Sequence, residues 1–144
     1  MEVQDIVERR SAFEEGIGRW QKLEDATIES CEKIMNATDN VLVKTIARLI
    51  KSDSQKHKEI LDVISDALSG TISLTPEELG GISELLEAHL KMEKGSIMLA
   101  EDEFENSRHF VVRHLLSYLL EDEKKHFKLM SQLIDFKKKI YPYA

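Results

Sequence analysis

Cysteine is almost absent from this chain: Cys31 is the only one in 144 residues. A lone thiol excludes an internal disulfide, a CxxC zinc knuckle and a rubredoxin-type four-thiolate site. Proline and glycine are also scarce, at two and six residues, while 42% of the chain is hydrophobic and 33% charged. That balance suits one packed, helix-rich soluble domain rather than a disordered chain. Positive charge is thin as well. The net charge of −7 argues against a nucleic-acid partner, because phosphate binding needs a cationic face. The one dense basic run, Lys137–Lys138–Lys139, complements the dipole of a last helical turn and needs no partner. No run of 18 apolar residues and no signal or transit peptide is visible, so a cytoplasmic protein without a membrane partner is expected. A Ser-His-Asp set, a P-loop and a glycine-rich dinucleotide turn are all missing.

What is present is helical periodicity. Four stretches carry apolar residues at spacings of three and four, over about residues 3–35, 41–68, 82–105 and 110–140. Phe13, Ile17, Trp20, Leu23, Ile28, Cys31 and Ile34 share the first broad face. No segment alternates as a strand would, so the expected fold is all-α, most simply a four-helix bundle.

The chain also repeats itself. A shift of 69 residues lays Glu24 on Glu93, Ile28 on Ile97, Asp53 on Asp122, Lys56 on Lys125, His57 on His126 and Ile64 on Leu133. One helical hairpin has been duplicated, and the shared residues include acids and histidines inside an apolar stripe, where acids are normally excluded. Asp53/His57 and Asp122/His126 are i, i+4 pairs, and Glu123 precedes His126 by three, so each group leans to one face. Glu24 and Asp53 are equidistant from the first hairpin tip, as Glu93 and Asp122 are from the second. Each pair therefore lies at one height along its hairpin. Carboxylates crowded in such a layer repel one another and lose hydration, which a cation relieves. Carboxylate and imidazole without thiolate favour iron or manganese, with zinc as a further candidate. The alternative is a layer of solvated acids and hydrogen-bonded histidines that holds no ion.

These residues resemble the ferritin-like di-metal carboxylate superfamily, especially its rubrerythrin and short ferritin-like branch. That family sets one Glu on each of two helices against a Glu-x-x-His on each of the other two. Glu24 and Glu93 match the single glutamates, and Glu123-Lys124-Lys125-His126 matches one Glu-x-x-His in full. The other is degenerate, with Ser54 three residues before His57; either Asp53 substitutes or the site holds one ion. The resemblance implies Glu24, Asp53, His57, Glu93, Asp122, Glu123 and His126 as the metal-ligand set. It further implies ferroxidase or peroxide- or oxygen-reducing chemistry, an external electron donor and a homodimer. A non-enzymatic bundle acting in protein–protein association, its metal site degenerate or empty, is the alternative that Ser54 favours.

A ferritin-like topology requires a connection that crosses the length of the bundle. Hairpins over about residues 3–68 and 82–141 leave residues 69–81 for that crossover. They would span the roughly 38 Å needed, nearly taut. Gly80-Gly81 is read as the restart after a short turn at Pro76, although Thr75-Pro76-Glu77-Glu78 also has the form of a helix start. Among the remaining residues, His109 is expected at a helix start and His114 on an exposed face. His89 is read as a hydrogen-bonded core histidine, with ligand or supporting donor as the alternative. Tyr118 is one turn from Asp122, either beside the site or in plain packing. Gly95, which the repeat lays on Ala26, is expected to permit close helix packing.

Overall fold

A computed structural model of the chain describes the backbone of residues 2–140 and side chains as far as residue 136. The Lys137–Lys138–Lys139 side chains and the expected hairpin end at residue 141 lie outside the described residues. The described chain forms four helices, α1 (Val3–Asn36), α2 (Val41–Leu68), α3 (Pro76–Asn106) and α4 (Phe110–Ile140), with no strand. It divides into two compact units, Met1–Ser73 and Leu74–Ala144, each an antiparallel pair of helices. We refer to them as hairpin 1 (α1, α2) and hairpin 2 (α3, α4). Among the described residues no helix is long and apolar enough to cross a membrane.

The helix ends follow local chemistry. Asn40 caps α2, its side-chain oxygen accepting the Val43 N–H at 3.1 Å. His109 does the same more weakly for α4, its Nδ1 accepting from Val112 N–H at 3.5 Å. At the other end of α2, Gly70 takes a positive φ of 82°. There Thr71 N–H reaches back to Asp66 O and Gly70 N–H to Ala67 O, closing a Schellman motif that only glycine enters without strain.

The expected restart at residue 82 is corrected. α3 begins at Pro76, capped by Thr75, whose hydroxyl accepts Glu78 N–H at 3.2 Å, with Glu77 and Glu78 in the first turn. Gly80 and Gly81 lie inside the helix. Each glycine costs about 1 kcal/mol there. The cap, the first-turn acids and burial of Leu79 to 3% exposure outweigh that cost. The connection thus shrinks from residues 69–81 to residues 69–75.

The most buried residues recur every seven positions. They are Ile17, Glu24 and Cys31 in α1, Ala47, Ser54 and Leu61 in α2, and Leu79, Leu86 and Glu93 in α3. A seven-residue repeat marks the seam of two helices packed nearly parallel to a common axis. By the 69-residue shift, the matching seam of α4 is Leu116, Glu123 and Met130, all half-buried. Each seam therefore includes a polar residue: Glu24 and Ser54 in hairpin 1, Glu93 and Glu123 in hairpin 2. The seam is narrower than the expected stripe. Trp20 and Leu23, expected inside, are 55% and 67% exposed, so they flank the seam of α1 instead.

Cross-links outside the seam hold the register. Gln21 Nε2 donates to Asp62 at 2.6 Å, Lys58 pairs with Asp25, and Lys51 pairs with Glu32 at 3.0 Å. In hairpin 2, Arg113 donates to the carbonyls of Phe104 and Ser107 at 2.6 and 2.9 Å while its guanidinium covers the Phe104 ring. This closes the tip of hairpin 2 with bonds and a cation–π contact that need one residue only.

Candidate metal centre

In hairpin 1 the polar layer is closed upon itself. Glu24 is 9% exposed, and Ser54 opposite it 4%. Trp20 Nε1 donates to Glu24 Oε1 at 3.1 Å, and His57 Nδ1 lies 3.1 Å from the same oxygen. The Ser54 hydroxyl also hydrogen-bonds the carboxylate. With these donors converging, Glu24 is held below the ordinary glutamate range; Ser54 contributes most, and His57 and Trp20 add to it against the opposing effect of burial. A carboxylate so supplied has no need of a cation. Nor is this a hydrolase triad, because Ser54 and His57 both point to the acid.

In hairpin 2 the same level is occupied by two carboxyls and an imidazole. Glu93 is 8% exposed, Glu123 is half-buried, and His126 is half-buried at the outer side. One ligand atom from each of Glu93, Glu123 and His126 lies within 4.8 Å of the others. The two carboxyls lie within reach of a shared hydrogen bond. That bond, with burial and the Glu93 charge behind it, pushes Glu123 above the ordinary range. The same bond, aided by His89 and by the positive character of His126, pulls Glu93 below it. With both acids ionised, Glu93 Oε2 would be a buried oxygen without a donor. Either a proton on Glu123 or a cation in the cluster must meet it.

His89, one turn before Glu93, places Nε2 2.8 Å from Glu93 Oε1, and His126 Nδ1 lies 3.6 Å from that oxygen. An open groove between α3 and α4 is lined by Leu99, Ala100, Leu116 and Leu119 and includes Glu123. Two glutamates and one histidine without sulfur make a hard-to-intermediate donor set, which fits iron, manganese or zinc.

The seven expected ligands therefore separate. Glu93, Glu123 and His126 come together; Glu24 and His57 meet each other, joined by Ser54 rather than by a second acid. Asp53 and Asp122 stand beside their own helix neighbours, Lys56 at 3.9 Å and Lys125 at 3.3 Å, and are not part of the three-residue group. Tyr118 is half-buried in α4 and His114 is exposed. The expected hydrogen-bonded role of His89 agrees with its contact to Glu93, whereas two contributors were not legible as such: Ser54 and Trp20, which help decide how Glu24 is held. The repeat itself carried the signal, since it aligns Ser54 with Glu123 and Trp20 with His89. No family model, curated protein or solved structure matches the chain.

Proposed function

We propose that this chain is a helical metal-binding protein whose ion is held in hairpin 2 by Glu93, Glu123 and His126. The observation that carries the reading is Glu93 Oε2, a buried oxygen without a donor beside a second carboxyl and an imidazole. Hairpin 1 serves as the structural counterpart, its layer satisfied without an ion. The ligand set is thus one three-donor centre, smaller than the paired-metal site of the ferritin-like resemblance.

Iron or manganese is the favoured cation, with zinc the competitor. Three protein donors leave coordination positions for water or an oxidant, and an open groove borders Glu123. A bound iron or manganese would supply Lewis acidity and one-electron chemistry there. The protein side of the exchange is a proton: an incoming cation displaces the one shared by Glu93 and Glu123. The donor types are those of ferritin-like carboxylate sites, which makes oxidation of ferrous iron or reduction of peroxide or oxygen the reaction class to assay. A lone cysteine offers no thiolate relay, so such chemistry draws on an external electron donor. Assembly of the two hairpins into a four-helix bundle, and of two chains into a homodimer, belong to the same proposal. Exposed Leu85, Met92 and Leu99, spaced by seven along α3, support an associating surface.

Metal content and equilibrium dialysis with ferrous iron, manganese and zinc test the reading. One ion per chain is expected, with Glu123→Gln and His126→Ala each weakening binding about 100-fold and His57→Ala leaving it unchanged. Metal content indifferent to the first two substitutions, or lost equally in all three, sinks it.

A further inference from the structure

Both hairpins grip the buried glutamate from the turn before it. In hairpin 1 the donor is the Trp20 indole, 3.1 Å from Glu24 Oε1; in hairpin 2 it is the His89 imidazole, 2.8 Å from Glu93 Oε1. The repeat places these two rings at equivalent positions. An indole can only donate, so the conserved element of the duplicated layer is a ring N–H delivered to Oε1. His89 lies outside the three-residue ligand group, and its side chain is 44% exposed. What differs is the company each acid keeps. Hairpin 1 adds His57 on the same Oε1 and a serine, Ser54, opposite the carboxylate, whereas hairpin 2 sets a second acid there and leaves Glu93 Oε2 without a donor.

We propose that His89 is a positioning residue for the metal centre: its Nε2–H holds Oε1 of Glu93 and so presents Oε2 alone to a divalent cation shared with Glu123 and His126. The inference rests on the reading of hairpin 2 as a metal site. Its physical basis is the soft terminal torsion of glutamate, which is broad and roughly two-fold. Unanchored, the carboxylate turns, competes for the cation with both oxygens and loses ordering entropy on binding. Anchored, it offers one oxygen in a fixed direction, as hydrogen bonds behind metal ligands commonly do. A hydrogen bond donated to the Glu93 carboxylate needs the proton on Nε2.

Manganese(II) binding to the full chain, followed by electron paramagnetic resonance, tests this with two variants. His89→Phe keeps a ring and removes the donor; His89→Gln keeps an N–H at similar reach. His89→Phe is expected to weaken binding 10- to 100-fold, and His89→Gln to remain within about threefold of the parent. Circular dichroism of the metal-free variants should show equal helix content. Infrared carboxylate bands of the manganese form add a readout that packing alone does not move. The separation between asymmetric and symmetric stretches should narrow in His89→Phe, as Glu93 changes from one-oxygen to two-oxygen binding. Parent-like affinity in His89→Phe, or binding in His89→Gln as weak as in His89→Phe, overturns the role of the hydrogen bond. Failure of the parent chain to bind manganese, or binding indifferent to Glu123→Gln, overturns the metal site itself and is seen before any His89 variant is made.

Discussion

Hairpins 1 and 2 carry the same buried glutamate at the same level of a duplicated seam, yet hold it in opposite ways. Glu24 faces a serine hydroxyl and is drawn toward its ionised form. Glu93 faces Glu123, and the two carboxyls are pushed apart, Glu93 below and Glu123 above the ordinary range. Everything around them is closely matched: a ring donor one turn earlier, a histidine on the partner helix, an Asp–Lys pair beside it. One position, serine against glutamate, therefore separates a layer that is complete in itself from one that is not. A buried polar group stabilises only when its partners are supplied, and otherwise becomes a site that something else must fill.

The most direct way to break the contrast is to give hairpin 1 the second acid. Ser54→Glu sets two carboxyls against each other where the hydroxyl was, 4% exposed. Without metal the variant should lose about 3 kcal/mol, the scale of an uncompensated buried charge. With saturating manganese it should bind two ions per chain in place of one, and a further His57→Ala should remove the added ion. A stoichiometry still at one would show that the serine is not what separates the hairpins. Chemical denaturation and metal analysis read the two effects independently.

Neutralising each glutamate in turn should move stability in opposite directions. Glu24→Gln weakens charge-assisted bonds from Ser54, His57 and Trp20 and is expected to cost about 1 kcal/mol in the metal-free protein. Glu93→Gln removes one of two crowded acids and lets an amide N–H face Glu123, so metal-free stability should hold or rise. The pH dependence follows from the signs. Glu24 lies below its ordinary value of 4.5, so its contribution is present above that value and lost as pH falls through the lowered one. Glu123 lies above 4.5, so its contribution is present below that value and lost as pH rises through the raised one. Glu93 is lowered like Glu24, so both hairpins lose a contribution in acid, and only hairpin 2 loses one as pH rises, through Glu123. Amide hydrogen exchange, corrected for intrinsic rates, should therefore show hairpin 2 alone loosening as pH rises through the raised value; Glu123→Gln should abolish that sensitivity, and equal loosening of both hairpins would contradict the assignment.

Much of this was legible in the sequence because period and repetition are one-dimensional signals. The four helices, the turn near residues 37–40 and the level of Glu24 and Glu93 all follow from spacing. The start of α3 did not, because two glycines read as a break while Leu79, six residues after Ser73, turned out to anchor the first turns in the seam. Asp53 and Asp122 fall outside the three-residue group for a similar reason. Asp53 and Asp122 share a broad helical face with their histidines, but the true seam advances by sevens through Ser54 and Glu123, so each aspartate stands one position to its side. The indole donor was invisible for another reason: whether Trp20 points at the acid depends on side-chain rotation, which spacing does not record.

The smallest expected effect tests the one place where the repeat suggested close packing. Gly95 aligns with Ala26. A Cβ built on Gly95 meets nothing within 4 Å, and the residue borders an open groove along α3 with Met98, Leu99 and Asp102. The expectation that a small residue is needed there for helix approach is thus corrected: space is not the constraint. Gly95→Ala, which copies hairpin 1 into hairpin 2, should raise stability by about 0.5–1 kcal/mol through helix propensity and a less flexible unfolded chain. Metal affinity should not change, because Glu93 is held from His89 on the preceding turn. A loss of stability on thermal unfolding would mean that the groove is filled by a partner surface that tolerates no methyl group, and would locate that contact on α3, two residues from Glu93.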